Sequence, residues 1–242
     1  MFCGIVSHRD SGNEVLKIGL TNRIKLYEFI VFLGLVMPSM LFSFFAVKTG
    51  SVSFILTAWA TMARDFSLIG LVLFFLWRNG ESVARIGWTL RRPAKEIALG
   101  MVLFVPFYFG MMFVENGLKF AGLSGTAQKL PSFLTAKGTG EMLLALLLVV
   151  VVALAEETIF RGYLMLRLRG LTGNRLLAAM VSSFIFALGH GYEGSAGVVT
   201  VGIMGMVFAM VYLWRGSLVA AIVMHFLQDF TGILLLPLLF GH

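Results

Sequence analysis

Few ionisable side chains interrupt the apolar runs of this chain, and these are the residues best able to do chemistry. A charge inside a membrane span is costly, so such residues indicate a function by default. Two histidines and three carboxylates form the main group, and one arginine lies beside them. These candidate site residues are Glu156, Glu157, Arg161, His190, His225 and Asp229.

The spacing of Glu156 and His190 predicts that they face each other across a helical hairpin. The sequence Leu-Thr-Gly-Asn at 171–174 predicts a turn at Gly173, with Asn174 as the N-cap of the following helix. Glu156 lies 17 residues before Gly173, and His190 lies 17 residues after it. In an antiparallel hairpin, equal separation means equal depth, about 25 Å from the turn for a helix.

A third segment brings His225 and Asp229 to a similar depth. His225 follows Arg215, which is predicted to mark a membrane boundary, by 10 residues. A helical rise places it roughly 15 Å beyond that boundary. Asp229 follows His225 at i+4, so both side chains lie on one helix face. We therefore expect three segments to bring two histidines and three carboxylates together.

Such a cluster supports several chemistries, and spacing leaves them open. A Glu and a His around one water form a general base, while a second His can bind an oxyanion; together they hydrolyse peptides. Alternatively, Glu156, His190, His225 and Asp229 could ligate Zn²⁺, which would then activate the water. A proton or ion relay in a transporter uses the same residue types. A polar network that only ties helices together is the fourth interpretation.

Other polar and aromatic residues are predicted to support this cluster or the fold. Glu157 and Arg161 are spaced i, i+4, which predicts an ion pair that orients the Glu156–Glu157 segment. Phe186 lies one helical turn before His190 and is predicted to form a wall of the site. The adjacent Arg64 and Asp65 are interpreted as a structural charge pair or as two separate polar contacts.

The composition indicates the elements that must position these residues. The chain has 242 residues, of which 59% are hydrophobic and 13% charged, against about 45–50% and about 25% in soluble domains. This excludes a disordered chain, an ordinary soluble enzyme and a nucleic-acid binder with a basic surface. We predict an all-α, polytopic transmembrane bundle of seven to eight helices, because the last run could break at Asp229. The candidate spans are 27–47, 54–77, 97–114, 142–166, 176–190, 196–214 and 217–240.

The basic residues predict an orientation. They concentrate in the tail 1–25, the loop 78–95, the segment 167–175 and at Arg215, and the positive-inside rule assigns these to the cytoplasm together with the N-terminus. The Gly/Ser/Thr-rich loop 115–140 is predicted to lie on the opposite side, although it carries Lys119, Lys129 and Lys137. Most of the net charge of +7 is therefore explained by topology.

The predicted domain organisation is simple. Residues 1–25 form a cytoplasmic tail, and 26–242 form a single transmembrane domain whose motif-bearing core is 141–242. Cys3 is the single cysteine, which excludes a disulfide framework and a cysteine-cluster metal site. We expect a multi-pass membrane protein, in the cell membrane if the source is prokaryotic, with membrane lipid as a partner and no nucleic acid.

Three short motifs resemble those of the CAAX-protease and bacteriocin-processing (CPBP) family of intramembrane proteases. Residues 156–162, EETIFRG, resemble the EExxFRG motif of that family. Residues 186–190, FALGH, resemble its FxxxH motif, and residues 225–229, HFLQD, resemble its HxxxN/D motif. The motifs also occur in the family's order and in the mid-chain to C-terminal part.

The resemblance implies an intramembrane endopeptidase, similar to the type II CAAX prenyl endopeptidase that removes the last three residues of prenylated proteins. It implies a conical catalytic core built from the C-terminal helices. By analogy, Glu156 and His190 activate a water, and Glu157 and Arg161 support Glu156. The aromatic residues of the first two motifs, Phe160 and Phe186, are expected to line a substrate site. The expected substrate is a peptide or a membrane-anchored protein, either prenylated or not.

Position 229 departs from the family pattern, and the residue at this position affects whether a metal cofactor is expected. The resemblance implies that His225 and the residue at 229 bind the oxyanion, and Asn is the more usual residue there. An ionised Asp229 would repel an oxyanion, so it must be protonated, orient His225 or bind a metal. A metal-free, glutamate-dependent mechanism is expected, and Zn²⁺ is the alternative. A non-catalytic scaffold or immunity-type protein of the same fold and a proton-coupled transporter are the rival functions.

Overall fold

The computed structural model describes residues 23–41, 53–124 and 132–240, and the regular structure of these residues is helical. Six of the seven described helices are long and apolar enough to cross a membrane, which confirms the predicted all-α, polytopic bundle. Of the predicted tail 1–25, residues 1–22 lie outside the described residues. Residues 23–25 belong to the first helix. The helices are α1 Arg23–Leu41, α2 Phe54–Arg78, α3 Pro93–Phe120, α4 Gly138–Thr172, α5 Arg175–Leu188, α6 Gly194–Arg215 and α7 Val219–Phe240.

Two predicted boundaries were wrong. The run 176–190, expected to span, forms α5 with 14 residues, and about 21 Å of helix is shorter than the roughly 30 Å hydrocarbon core. His190 therefore lies in the turn after α5, not on the helix. The predicted loop 115–140 is also shorter, because α3 continues through Lys119, whose Nζ lies 2.6 Å from Glu115 Oε1.

The reversal between α4 and α5 has the predicted geometry. Gly173 adopts the left-handed conformation with φ of 69° directly after α4, where a glycine carries no Cβ penalty. Asn174 then caps α5, because its Oδ1 accepts hydrogen bonds from the backbone N–H groups of Leu176 at 2.9 Å and Leu177 at 3.1 Å. The N-cap predicted at Asn174 is confirmed, and α5 packs back against the end of α4.

Helix α4 is not a uniform α-helix, because its motif-bearing part is a π-helix. The α-helical turns run over Gly138–Glu156 and Met165–Thr172, and the π-helical turns run over Glu157–Leu164. A second π-helical segment, Thr231–Leu235, follows Asp229 in α7. Such segments are rare and often mark functional sites. They change the direction of the side chains that follow them, so both site-bearing helices depart from regular periodicity beside the candidate residues.

The connection between α2 and α3 supports the π-helical part of α4. A Cβ added to Gly162 would lie 2.9 Å from the backbone oxygen of Ile86, so the last glycine of EETIFRG permits a close backbone approach. Trp88 Nε1 donates a hydrogen bond to Thr158 Oγ1 at 3.1 Å. The backbone N–H of Leu218 donates to the Gly87 oxygen at 3.0 Å, which ties the start of α7 to the same connection.

A buried ion cluster lies away from the candidate site. Arg167 was expected near a loop end, but it lies within α4 and its side chain is 3% exposed. Its Nη1 lies 2.6 Å from Glu81 Oε2, and its Nη2 lies 3.6 Å from Glu28 Oε2. In addition to its place in the basic segment 167–175, Arg167 therefore joins α4 to α1 and to the connection after α2.

Candidate active site

Glu156, His190, His225 and Asp229 line one cavity of about 860 Å³. Its walls come from all seven described helices and from the turns around Thr135 and His190. The hairpin spacing predicts that Glu156 and His190 meet, and both side chains line this cavity. Its ionisable lining residues among those described are Arg64, Asp65, Glu115, Glu156, His190, Tyr192, Glu193, His225 and Asp229.

The pair Glu157–Arg161 lies behind the cavity wall and is buried. Arg161 Nη1 donates a hydrogen bond to Glu157 Oε1 at 2.8 Å, and the side chains are 1% and 0% exposed. The ion pair predicted from their spacing is confirmed. The Arg161 guanidinium carbon also lies 4.3 Å from the ring centroid of Phe186 and 5.3 Å from that of Phe208. The carboxylate and two aromatic faces together stabilise an arginine that is removed from water.

The carboxylate of Glu157 also holds His225. The Nδ1 atom of His225 lies 2.8 Å from Glu157 Oε1, and a carboxylate paired with arginine can only accept, so Nδ1 carries a proton. Phe208 stacks on the His225 ring with 5.6 Å between centroids. Glu157 and Arg161 were expected to support Glu156. Their hydrogen bonds instead join α4 to His225, which leaves Nε2 of that ring for the cavity.

Glu156 faces the cavity between two nitrogen groups. Its Oε2 lies 3.7 Å from His225 Nε2, and its Oε1 lies 3.8 Å from Arg64 Nη2. Asp229 Oδ2 lies 3.5 Å from the same His225 nitrogen. These separations exceed the 2.7–3.2 Å typical of N–H···O hydrogen bonds. The Nε2 atom of His225 can therefore bond to an oxygen that enters the cavity.

His190 presents its other nitrogen to the cavity. Its Nδ1 lies 3.1 Å from the backbone oxygen of Phe186, and a carbonyl oxygen only accepts, so Nδ1 is the donor. In the neutral ring, Nε2 then carries the lone pair and can accept a hydrogen bond from water. Phe186 fixes the ring position as well, since its centroid lies 4.8 Å from that of His190.

The two phenylalanines predicted for a substrate site line the cavity at its buried side. Phe160 is 3% exposed and Phe186 is 2% exposed, and their rings meet edge to face at 5.1 Å. Phe186 touches His190, His225 and Arg161. Its position makes it a shared support for groups from two helices and the turn after α5, in addition to a wall that a substrate could contact.

The four candidate metal ligands do not fit a metal centre in this arrangement. In the part of the chain that the structure describes, no group of three or more His, Cys, Asp or Glu side chains is placed to hold a metal ion. The Nδ1 atoms of His225 and His190 are engaged by Glu157 and by a backbone oxygen, which leaves Nε2 as the nitrogen of each ring that could bind a group in the cavity.

One family model matches this part of the chain. Residues 138–231 match the Rce1-like family, described as type II CAAX prenyl endopeptidase Rce1-like. The match covers just under two fifths of the chain, contains all three motifs, and confirms the resemblance that they predicted. Residues 138–231 are therefore similar to the Rce1-like family, and the match does not extend to the remaining helices. No curated protein and no solved structure matches the chain.

Some cavity residues lie outside the Rce1-like segment, and the sequence interpretation missed their position. Arg64 and Asp65 on α2 form the predicted charge pair, and they also line the cavity beside Glu156. Their location in the middle of an apolar run was the available signal, because charges there indicate function. Glu115 from α3 also lines the cavity, and no sequence pattern singles it out.

Proposed function

We propose that this chain is an intramembrane endopeptidase, similar to the CAAX prenyl proteases, that hydrolyses a peptide bond of a membrane-associated protein or peptide. The observation that carries the proposal is the shared cavity, in which Glu156, His190 and His225 lie within the Rce1-like segment. A water held between a carboxylate and an imidazole needs no covalent nucleophile on the enzyme.

In the proposed first step, a water attacks the carbonyl carbon of the scissile peptide. His190 orients the water by accepting one of its hydrogens at Nε2, and the Glu156 carboxylate removes the other proton as the oxygen–carbon bond forms. The carbonyl π electrons move to oxygen, which produces a tetrahedral oxyanion. Such base catalysis typically contributes about 10²–10⁴-fold to the rate.

His225 stabilises the oxyanion in this proposal. When its ring carries both protons, Nε2 donates to the oxyanion, and the carboxylates of Glu157 and Asp229 balance the ring charge. The contacts that support this role are the 2.8 Å bond to Glu157 and the 3.5 Å separation from Asp229. In this proposal Asp229 orients His225 and does not itself contact the oxyanion. An ionised Asp is compatible with that role, although the family more often has Asn at this position.

In the second step, the oxyanion collapses and the carbon–nitrogen bond breaks. The proton held by Glu156 passes to the departing amine, and the carboxylate is restored. The new acid gives up its remaining proton to the amine, so the products are a carboxylate and an ammonium group, and the reaction uses only one water. The apolar part of the lining, including Phe160, Phe186 and Leu148, supports a lipidated or apolar peptide as the substrate.

The test is cleavage of an internally quenched, farnesylated peptide with a CAAX end by the purified protein in lipid bilayers. Glu156→Gln and His190→Ala should each lower kcat at least 100-fold. Glu141→Gln is the matched control, because Glu141 lies at the exposed start of α4 and bonds to the Lys137 N–H. If both cavity variants cleave at the wild-type rate, the assigned site is wrong.

A further inference from the structure

Arg64 is a group next to Glu156 that the three motifs do not include. It lies on α2, outside residues 138–231, and among the described residues it is the cavity's one lysine or arginine. Its side chain is 39% exposed, while that of Glu156 is 13% exposed. The position of Arg64 therefore joins the N-terminal half of the bundle to the Rce1-like segment.

The neighbouring Asp65 fixes the guanidinium of Arg64. Arg64 Nε donates to Asp65 Oδ1 at 2.9 Å, and Nη2 lies 2.8 Å from the same oxygen. The Asp65 side chain is 1% exposed, so the anchor itself is held in the interior. A planar guanidinium with two fixed nitrogens has little rotational freedom, which makes it a suitable support for another group.

From this anchored position, Arg64 reaches Glu156. Its Nη2 lies 3.8 Å from Glu156 Oε1, while Glu156 Oε2 lies 3.7 Å from His225 Nε2. Each oxygen of the carboxylate therefore faces a nitrogen group on a different helix. At 3.8 Å the guanidinium attracts the carboxylate by its charge and makes no hydrogen bond to it.

Charge counting decides between two roles for Arg64. A free arginine in a cavity could bind a carboxylate of the substrate, but this guanidinium already faces the carboxylates of Asp65 and Glu156. The three groups carry one positive and two negative charges, so another anion would be opposed in a site of low dielectric. The contacts favour a role toward Glu156.

We propose that Arg64 is a positioning residue, which holds the Glu156 carboxylate from the α2 side so that Oε2 faces His225 and the bound water. This inference rests on the proposed peptidase function. It assigns to α2 a part in the catalytic step, although α2 lies outside the matched segment. Misplacement of a reacting group by about 1 Å can cost about 100-fold in rate.

The kinetic test compares Arg64→Gln and Arg64→Lys with Arg78→Gln in the farnesylated-peptide assay. Arg78 lies at the end of the same helix and pairs with Glu28 at 3.6 Å, away from the cavity. Arg64→Gln should lower kcat at least ~10-fold with KM unchanged, since an interaction with Glu156 acts on the chemical step. Arg64→Lys should recover part of kcat, and Arg78→Gln should retain the wild-type value. A wild-type kcat in Arg64→Gln, or a rise in KM alone, would overturn the inference.

A thermal-unfolding cycle tests the contact without relying on activity. It compares the wild type, Arg64→Gln, Glu156→Gln and the double variant in detergent. The Tm change of the double variant should differ from the sum of the two single-variant changes, because residues in contact are coupled. Additive changes would overturn the inference. If the wild type cleaves nothing, the proposed function fails, and a non-additive cycle would still support the Arg64–Glu156 contact.

Discussion

His225 on α7 and Glu157 on α4 are joined by a 2.8 Å hydrogen bond between Nδ1 and Oε1. The same oxygen accepts from Arg161 Nη1 at 2.8 Å. Both contacts are buried, so one carboxylate oxygen fixes a histidine across the bundle and neutralises an arginine beside it. The second Glu of the EE pair thus positions the third motif, while the first faces the cavity.

Glu157→Gln should destabilise the protein, because it leaves Arg161 with no compensating charge in the interior. Breaking one partner of a buried pair typically costs about 3–5 kcal/mol. Thermal unfolding in detergent measures the effect, with Glu141→Gln as the control at the exposed start of the same helix. Equal Tm values for the two variants would contradict the structural role of Glu157.

Asp229→Asn should retain activity within about tenfold, whereas Asp229→Ala should lose more. In the wild type, His225 Nε2 lies 3.5 Å from Asp229 Oδ2. The amide of Asn has the same shape as the Asp carboxyl, so its oxygen can still contact Nε2. Truncation removes the group that orients the ring, and losing one oxyanion donor costs about 10²–10³ in kcat. Steady-state cleavage rates of both variants make the comparison, and equal rates would show that Asp229 does not orient His225.

Gly162→Ala should be destabilising, because the new Cβ would lie 2.9 Å from the Ile86 backbone oxygen. Overpacking of this kind costs about 1–3 kcal/mol. Gly170→Ala on the same helix is the control, since a Cβ there meets nothing within 4 Å, and alanine is the better helix former. Tm should fall for the first variant and stay equal or rise for the second. The opposite order would be inconsistent with the packing of the connection after α2.

Chelator treatment should leave peptide cleavage intact. Among the described residues, no group of three or more potential ligands is placed to hold a metal ion. Cleavage rates with and without a chelator, together with elemental analysis of the purified protein, make the measurement. Stoichiometric Zn²⁺ together with loss of cleavage in chelator would replace the proposed mechanism with a metal-dependent one.

Local patterns predicted the parts of the site that lie close together in the chain. The pair Glu157–Arg161 and the N-cap Asn174 depend on spacings of two to four residues, and both have the predicted geometry. The position of His190 was less accurate, because α5 ends at Leu188 and the histidine lies in the following turn. A run of apolar residues does not show where a helix ends, so that boundary was not predictable from composition.

The sequence by itself determined that this is a membrane-spanning helical protein with three protease-like motifs, because charge content and local spacing do not depend on packing. Tertiary structure decided which groups meet, namely Glu157 with His225 and Arg64 with Glu156. The reason is geometric: each residue turns a helix by about 100°, and π-helical turns change that angle. Helices that are apolar on all sides carry no periodic pattern to indicate which face turns inward.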